Sequence, residues 1–245
     1  MNIVYVMSYK EDSSATEKTS KEVVLLIRDK SSLFETSKQY RFDSIKAVKP
    51  SQFASSDYDF MVSKNYENNT SYVYKSILRD FYKIPAETTF DWKIENEKLQ
   101  IGPYSCQKAS LNYKGRHWVA WFTNDIPIQD GPYIFKGLPG LIISMKDSSG
   151  SYEFLFKKLK KDSNTQYFPS KEAMEISNAD YKKVMINHYN DPYREMKGTN
   201  VKVTVKDENG NLVTPDFRKL TQQAQKSLKK NNNPIELSDA IRYPD

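Results

Sequence analysis

Apolar and polar residues alternate with a period of two over much of this 245-residue chain. That is the pattern of strands with one buried and one wet face. The runs IVYVMSY (3–9) and EVVLLIR (22–28) predict two strands, and SSLFETSKQYRFDSI begins with a third near Ser32–Glu35. The period then fades. KPSQFASSDYDFMVSKNYENNT (49–70) is expected to be irregular, with room for a short helix. Alternation resumes in SYVYKSIL (71–78) and TFDWKIE (88–94), with Pro85 breaking the chain between them.

The clearest unit follows: YSCQKASLN (104–112), the turn YKGR (113–116) and HWVAWFT (117–123). With that turn, Ala109 faces Ala120, Leu111 faces Trp118 and Gln107 faces Phe122. One side then carries Ala109, Leu111, Trp118, Ala120 and Phe122, a core face. Cys106, Lys108, His117, Val119 and Trp121 take the wetter side. Further on, LIISMK (141–146), DSSG (147–150) and SYEFLFKKL (151–159) read as strand, turn and return strand. Ser177 is placed to cap a helix running to about Tyr189, stopped by Pro192. VKVTVKDENGNLVTP (201–215) predicts a hairpin around Asn209-Gly210, and a basic helix is expected over 216–230. The whole reads as mainly β with C-terminal helices packed on the sheet, a single domain over 1–245 with a loosely ordered tail at 231–245.

Composition sharpens one segment. The chain has only 8 glycines, yet GPYIFKGLPG (131–140) holds Gly131, Gly137 and Gly140 together with Pro132 and Pro139. Either a backbone approaches something closely there or the chain reverses sharply twice. Leu138-Pro139-Gly140-Leu141 suits a type II turn, with Gly140 at positive φ.

Charge changes the picture little. The net charge is +6, with the excess in KKLKK (157–161) and RKLTQQAQKSLKK (218–230). No basic-aromatic motif accompanies it, so nucleic acid is not the expected partner. The basic helix leaves peripheral contact with an anionic membrane open. Mean hydropathy is −0.74, and no apolar run is long enough to span a bilayer as a helix. Cys106 is the lone cysteine, which excludes an internal disulfide and a cysteine-based zinc site.

His117 and His188 are the two histidines, and no nucleotide, zinc or serine-hydrolase motif is present. No catalytic residue, metal ligand or cofactor is therefore assigned. A Cys106–His117 dyad fails on register, since the two lie roughly 20 Å apart along the hairpin. The carboxylate pairs Asp91/Glu95 and Asp125/Asp130 carry little information in a chain that is 28% charged. The candidates for ligand or partner contact are Lys108, Arg116, Trp118, Trp121, Asp125 and Asp130, with Trp121 directed away from the core beside Lys108. Arg116, Asp125 and Asp130 are placed to pin the loops. Gly131, Pro132, Gly137, Pro139 and Gly140 shape the crossing between strands.

GPYSCQKAS…YKGRHWVAWFTNDIPIQDGPYIFKGLPGLI resembles the signature of the GLPGLI family of Bacteroidetes proteins, named for the string at 137–142. IVYVMSYK is similar to that family's first strand and NNPIEL (232–237) to its ending. The resemblance implies an exported protein of unknown function, periplasmic, outer-membrane-associated or secreted after removal of a signal peptide. It supplies no agreed catalytic residues. The rhythm around Ile101–Ala109 is also similar to envelope proteins with a LolA-like open barrel, which implies a strongly curved antiparallel sheet. The expected role is a non-enzymatic binding or accessory protein for a hydrophobic ligand or an outer-membrane partner. A secreted hydrolase with a carboxylate pair and a structural envelope-assembly protein are the alternatives.

Overall fold

The computed structural model describes residues 1–48, 58–161, 172–197, 204–206 and 211–244. The first six strands are β1 (Asn2–Tyr9), β2 (Thr19–Ile27), β3 (Ser31–Thr36), β4 (Val62–Asn65), β5 (Thr70–Ile77) and β6 (Asp80–Pro85), with helix α1 (Ser37–Val48) between β3 and β4. Then come β7 (Lys93–Ile101), β8 (Tyr104–Tyr113), β9 (Arg116–Thr123), β10 (Leu141–Asp147) and β11 (Tyr152–Lys160). The remainder is β12 (Met174–Glu175), α2 (Asn178–Asn190), α3 (Arg194–Lys197), β13 (Val205–Lys206), β14 (Leu212–Val213) and α4 (Phe217–Lys230).

The protein is mainly β. A curved, open sheet of 12 strands runs β12-β6-β5-β4-β3-β2-β1-β11-β10-β9-β8-β7. Its pairings are antiparallel except for β12 on β6. Two meanders in chain order thus meet at a single seam, where β1 pairs with β11.

The β8–β9 hairpin has the expected register, Ala109 opposite Ala120 and Leu111 opposite Trp118, and its five core-face residues are all buried. Three departures have physical reasons. In β4, VSKN, an inward position is filled by Lys64, so apolar alternation never shows. β6 ends on Pro85 instead of being excluded by it, because a strand's last residue can forgo its N–H. The strand expected at 88–94 begins only at Lys93, because Trp92 turns away and donates its indole N–H to the Lys136 carbonyl at 2.9 Å. Of the stretch expected to be irregular, 49–57 lies outside the described residues, and the helix α1 precedes it.

The sheet's two faces are packed differently. One carries Ile3, Tyr5, Val23, Leu25, Phe34, Val62, Trp118 and Phe154 in the main core. The other carries Val4, Val24, Leu26, Leu33 and Met61, with Tyr40 of α1 against them. The 124–140 crossover between β9 and β10 lies within the main core: Tyr133, Ile134, Phe135 and Leu138 are essentially inaccessible. It also explains the curvature. Lys64 of β4 bonds Asp130 while Trp118 of β9 packs on Phe135 at 5.0 Å between ring centroids. Five strands separate β4 from β9, which would put them about 29 Å apart on a flat sheet. The sheet curls around this loop.

Helices α2 and α4 gather beside β6. Ser177 caps α2 by accepting from the Asp180 N–H at 3.0 Å, as its sequence suggests. Tyr181 of α2 meets Tyr82 of β6 edge-on, and α4, capped by Asp216, reaches α2 through a Gln225 bond to the Tyr189 carbonyl. β13 pairs with β14, while the Asn209-Gly210 turn lies outside the described residues. Asn233 and Ile235 are buried, and the Tyr152 hydroxyl donates to the Asn233 carbonyl at 2.7 Å.

Candidate functional site

The concentration of glycine in 131–140 has two causes. Gly137, at φ +93°, makes the reversal, closed by its N–H on the Gln129 carbonyl at 3.0 Å. Gly131 and Gly140 are sites of close approach. A Cβ on Gly131 would stand 2.6 Å from Ile142 Cδ1, and one on Gly140 only 1.9 Å from the Thr123 carbonyl oxygen. Gly140 is absent from the left-handed region, so the expected type II turn with positive φ there does not form. Pro132 is buried, its carbonyl accepting from Phe135 N at 3.2 Å, whereas Pro139 is exposed.

Asp130 ties this loop to the opposite wing. It accepts from the Lys64 ammonium, the Tyr66 hydroxyl and the Gly131 N–H, and Lys64 also donates to the Gly131 carbonyl at 3.0 Å. Lys64 and Asp130 are fully buried. Burial pulls the Lys64 ammonium below its ordinary pKa, with the Asp130 carboxylate opposing. Their bonds hold the crossover loop against β4.

The other candidates separate. Arg116 is buried, pairing with Asp147 at 2.9 Å and donating to Asn233 Oδ1, the Pro234 carbonyl and the Ile235 carbonyl. It pins the tail. Trp118 is wholly in the core. Trp121 sits opposite Lys108 on the other face, where Lys108 is engaged by Glu95 and Glu97. Asp125 is exposed and accepts from the Ser105 N–H at 3.2 Å. His117 bonds its cross-strand partner Asn112, and Cys106 is buried, its thiol pushed up to about 11 by burial and by Asp125. These residues do not share one site.

A cleft of about 400 Å³ opens elsewhere, between the β5–β6 edge, α2, the end of α4 and the tail. Tyr9, Phe60 and Tyr152 form an aromatic cluster on one side, Tyr9 and Phe60 meeting at 5.1 Å and Tyr9 and Tyr152 stacking at 6.0 Å. Tyr181 and Met185 of α2 face in from another. At the rim stand Glu87 and Glu236, with the Tyr113 hydroxyl 3.0 Å from an oxygen of each. Burial pushes the Glu236 carboxyl above its usual range. Sequence reasoning missed all of these. The one usable signal was NNPIEL, which contains the tail residues that close the cleft.

Three comparisons bear on the chain. A family model matches the motif. Described as "Protein of unknown function (Porph_ging)", it covers residues 112–144, from the β8–β9 turn through most of β10. The structure of PNGF-II in a C2 space group is similar with a TM-score of 0.52 and 19% identity, over 75% of this chain and 32% of that one. PNGF-II in a P21 space group gives 0.51 and 19%, over 74% and 32%. The likeness is one of fold, and this chain spans only that minor share of the PNGF-II chains. No curated protein matches.

Proposed function

We propose that this is an exported cell-envelope protein that binds a small ligand without chemical turnover, in the cleft beside Tyr9, Phe60 and Tyr152. The observation that carries the reading is a cleft of about 400 Å³ whose lining sets aromatic rings beside many charged and polar groups. The curved sheet's interior offers no such space, because Tyr133, Phe135 and Leu138 fill it. The ligand is therefore small and amphipathic, not a long acyl chain. The resemblance to the GLPGLI signature supports the envelope location and an outer-membrane partner, with the protein acting as its accessory.

Native mass spectrometry of protein purified gently from its native envelope tests this. A small-molecule adduct in the wild type that disappears in Ala86→Trp, which fills the cleft, is the expected result. A bare mass in both would overturn it.

A second reading is hydrolysis by a carboxylate pair. Glu87 and Glu236 favour it, since they converge on one hydroxyl in a cleft. Asp125 and Asp130 do not support it, one being exposed and the other locked in an ion pair. An ester or glycoside cleavage lost on Glu236→Gln would select this reading over binding.

A further inference from the structure

Tyr113 has one hydroxyl proton and two carboxylate neighbours. Its oxygen is 3.0 Å from Glu87 Oε2 and 3.0 Å from Glu236 Oε1. A phenol has one O–H, which either serves one of them fully or is split as a weaker three-centre bond between both. Both short contacts are full hydrogen bonds when one carboxyl itself carries a proton and donates to the phenol oxygen. Glu87 is the more solvated partner and has the Lys114 ammonium 3.3 Å away to offset its charge. Glu236 is half-buried and has no ion pair of that kind at its carboxylate among the described residues.

We propose that a proton held on Glu236 latches the Glu236–Ala240 turn onto the β8–β9 turn, and that its loss opens this side of the cleft. The chain of bonds runs from the Glu236 O–H to the Tyr113 oxygen, and from the Tyr113 O–H to the Glu87 carboxylate. Glu236, Asp239 and Ala240 line the cleft, so the latch decides how far that wall closes. It stands whether or not a ligand is bound.

Tyr113 faces Glu236 from β8, Lys114 from the β8–β9 turn, Lys75 from β5 and Tyr133 from the crossover loop. Glu87 joins through Tyr113, and Asp239 lies on the same turn as Glu236. Asp239 is itself held by Lys114 at 3.3 Å and Lys182 at 3.4 Å. Ionising Glu236 puts a charge in a buried place and against Asp239, with Lys75 and Lys114 opposing, and leaves the Tyr113 proton to be contested by two anions. The sign follows. The latched form keeps the proton to higher pH than the open form, so latching is complete at low pH and fades as pH rises through the latched-state pKa.

Amide hydrogen exchange on the full chain reads this directly. Ser238 N donates to the Lys114 carbonyl at 3.0 Å across the latch. Asn233 N donates to the Glu11 carbonyl at 3.1 Å on the side held by Arg116, away from the Tyr113 contacts, and so serves as an internal reference. As pH rises through and above the ordinary carboxylate range, protection of Ser238, corrected for intrinsic exchange, should fall by up to about tenfold per pH unit. Asn233 should hold. Glu236→Gln, permanently neutral, should abolish the fall. Glu87→Gln should flatten it too, by freeing the Tyr113 proton to serve an ionised Glu236. A pH-independent Ser238 in the wild type, or a fall that persists in both variants, overturns the proposal.

Discussion

Gly140 shows how a single missing carbon can decide a crossing. Its backbone passes so close to Thr123 that any Cβ would overlap a carbonyl oxygen, and a backbone atom cannot swing aside as a side chain can. Gly140→Val should therefore lower stability by about 3 kcal/mol or more, read as a drop in urea midpoint. An unchanged midpoint would mean that the β9–β10 crossing shifts freely. The two tryptophans of β9 make a sharper contrast, because they are three residues apart and on opposite faces. Trp118→Ala should cost about 3–5 kcal/mol, since it empties a core site ringed by Phe135, Tyr152 and Phe154. Trp121→Ala should cost less, about 1–2 kcal/mol, because its ring is only half-buried and packs at the edge of the core beside Lys108.

At the scale of elements, the crossover loop behaves as an internal plug tied down by Asp130. Asp130→Asn leaves the Lys64 ammonium buried without its counter-charge, and a loss of about 3–5 kcal/mol is expected. Adding Lys64→Met should recover part of it, because an apolar side chain of similar length needs no partner. Denaturation of the single and double variants checks both. Neither lysine nor aspartate was legible as a pair. They are 66 positions apart, and a charged residue in a short strand reads as solvent-facing until the sheet is known to curl. The elements with dense local signals were legible: the β8–β9 register, the cap at Ser177, the amphipathic α4. α1 was not, because its partly buried Tyr40, which packs on the second face of the sheet, and its buried Phe42 follow no clear stripe in SKQYRFDSI. Gly131, Gly137 and Gly140 were picked out from their density alone, but the reason expected for Gly140 differs from the one found, where steric approach and not φ is at issue.

At the scale of the whole molecule, the mainly β class was plain from alternation, and the cleft was not. Its walls come from β1, β5, β6, α2, α4 and the tail, so no contiguous run of sequence carries its pattern. Only a fold brings Glu87, Tyr113 and Glu236 to one hydroxyl. The seam at β1 and β11 also sets a timetable. Tyr5 reaches across it to the Ile142 carbonyl, 137 residues further along. β1 can pair with β2 early, but its opposite edge stays bare until the second meander exists. Few local contacts can substitute, and closing so long a loop is slow. A chain made from its N-terminus thus carries an open, apolar strand edge through most of its synthesis, and self-association at that edge competes with the arrival of β11.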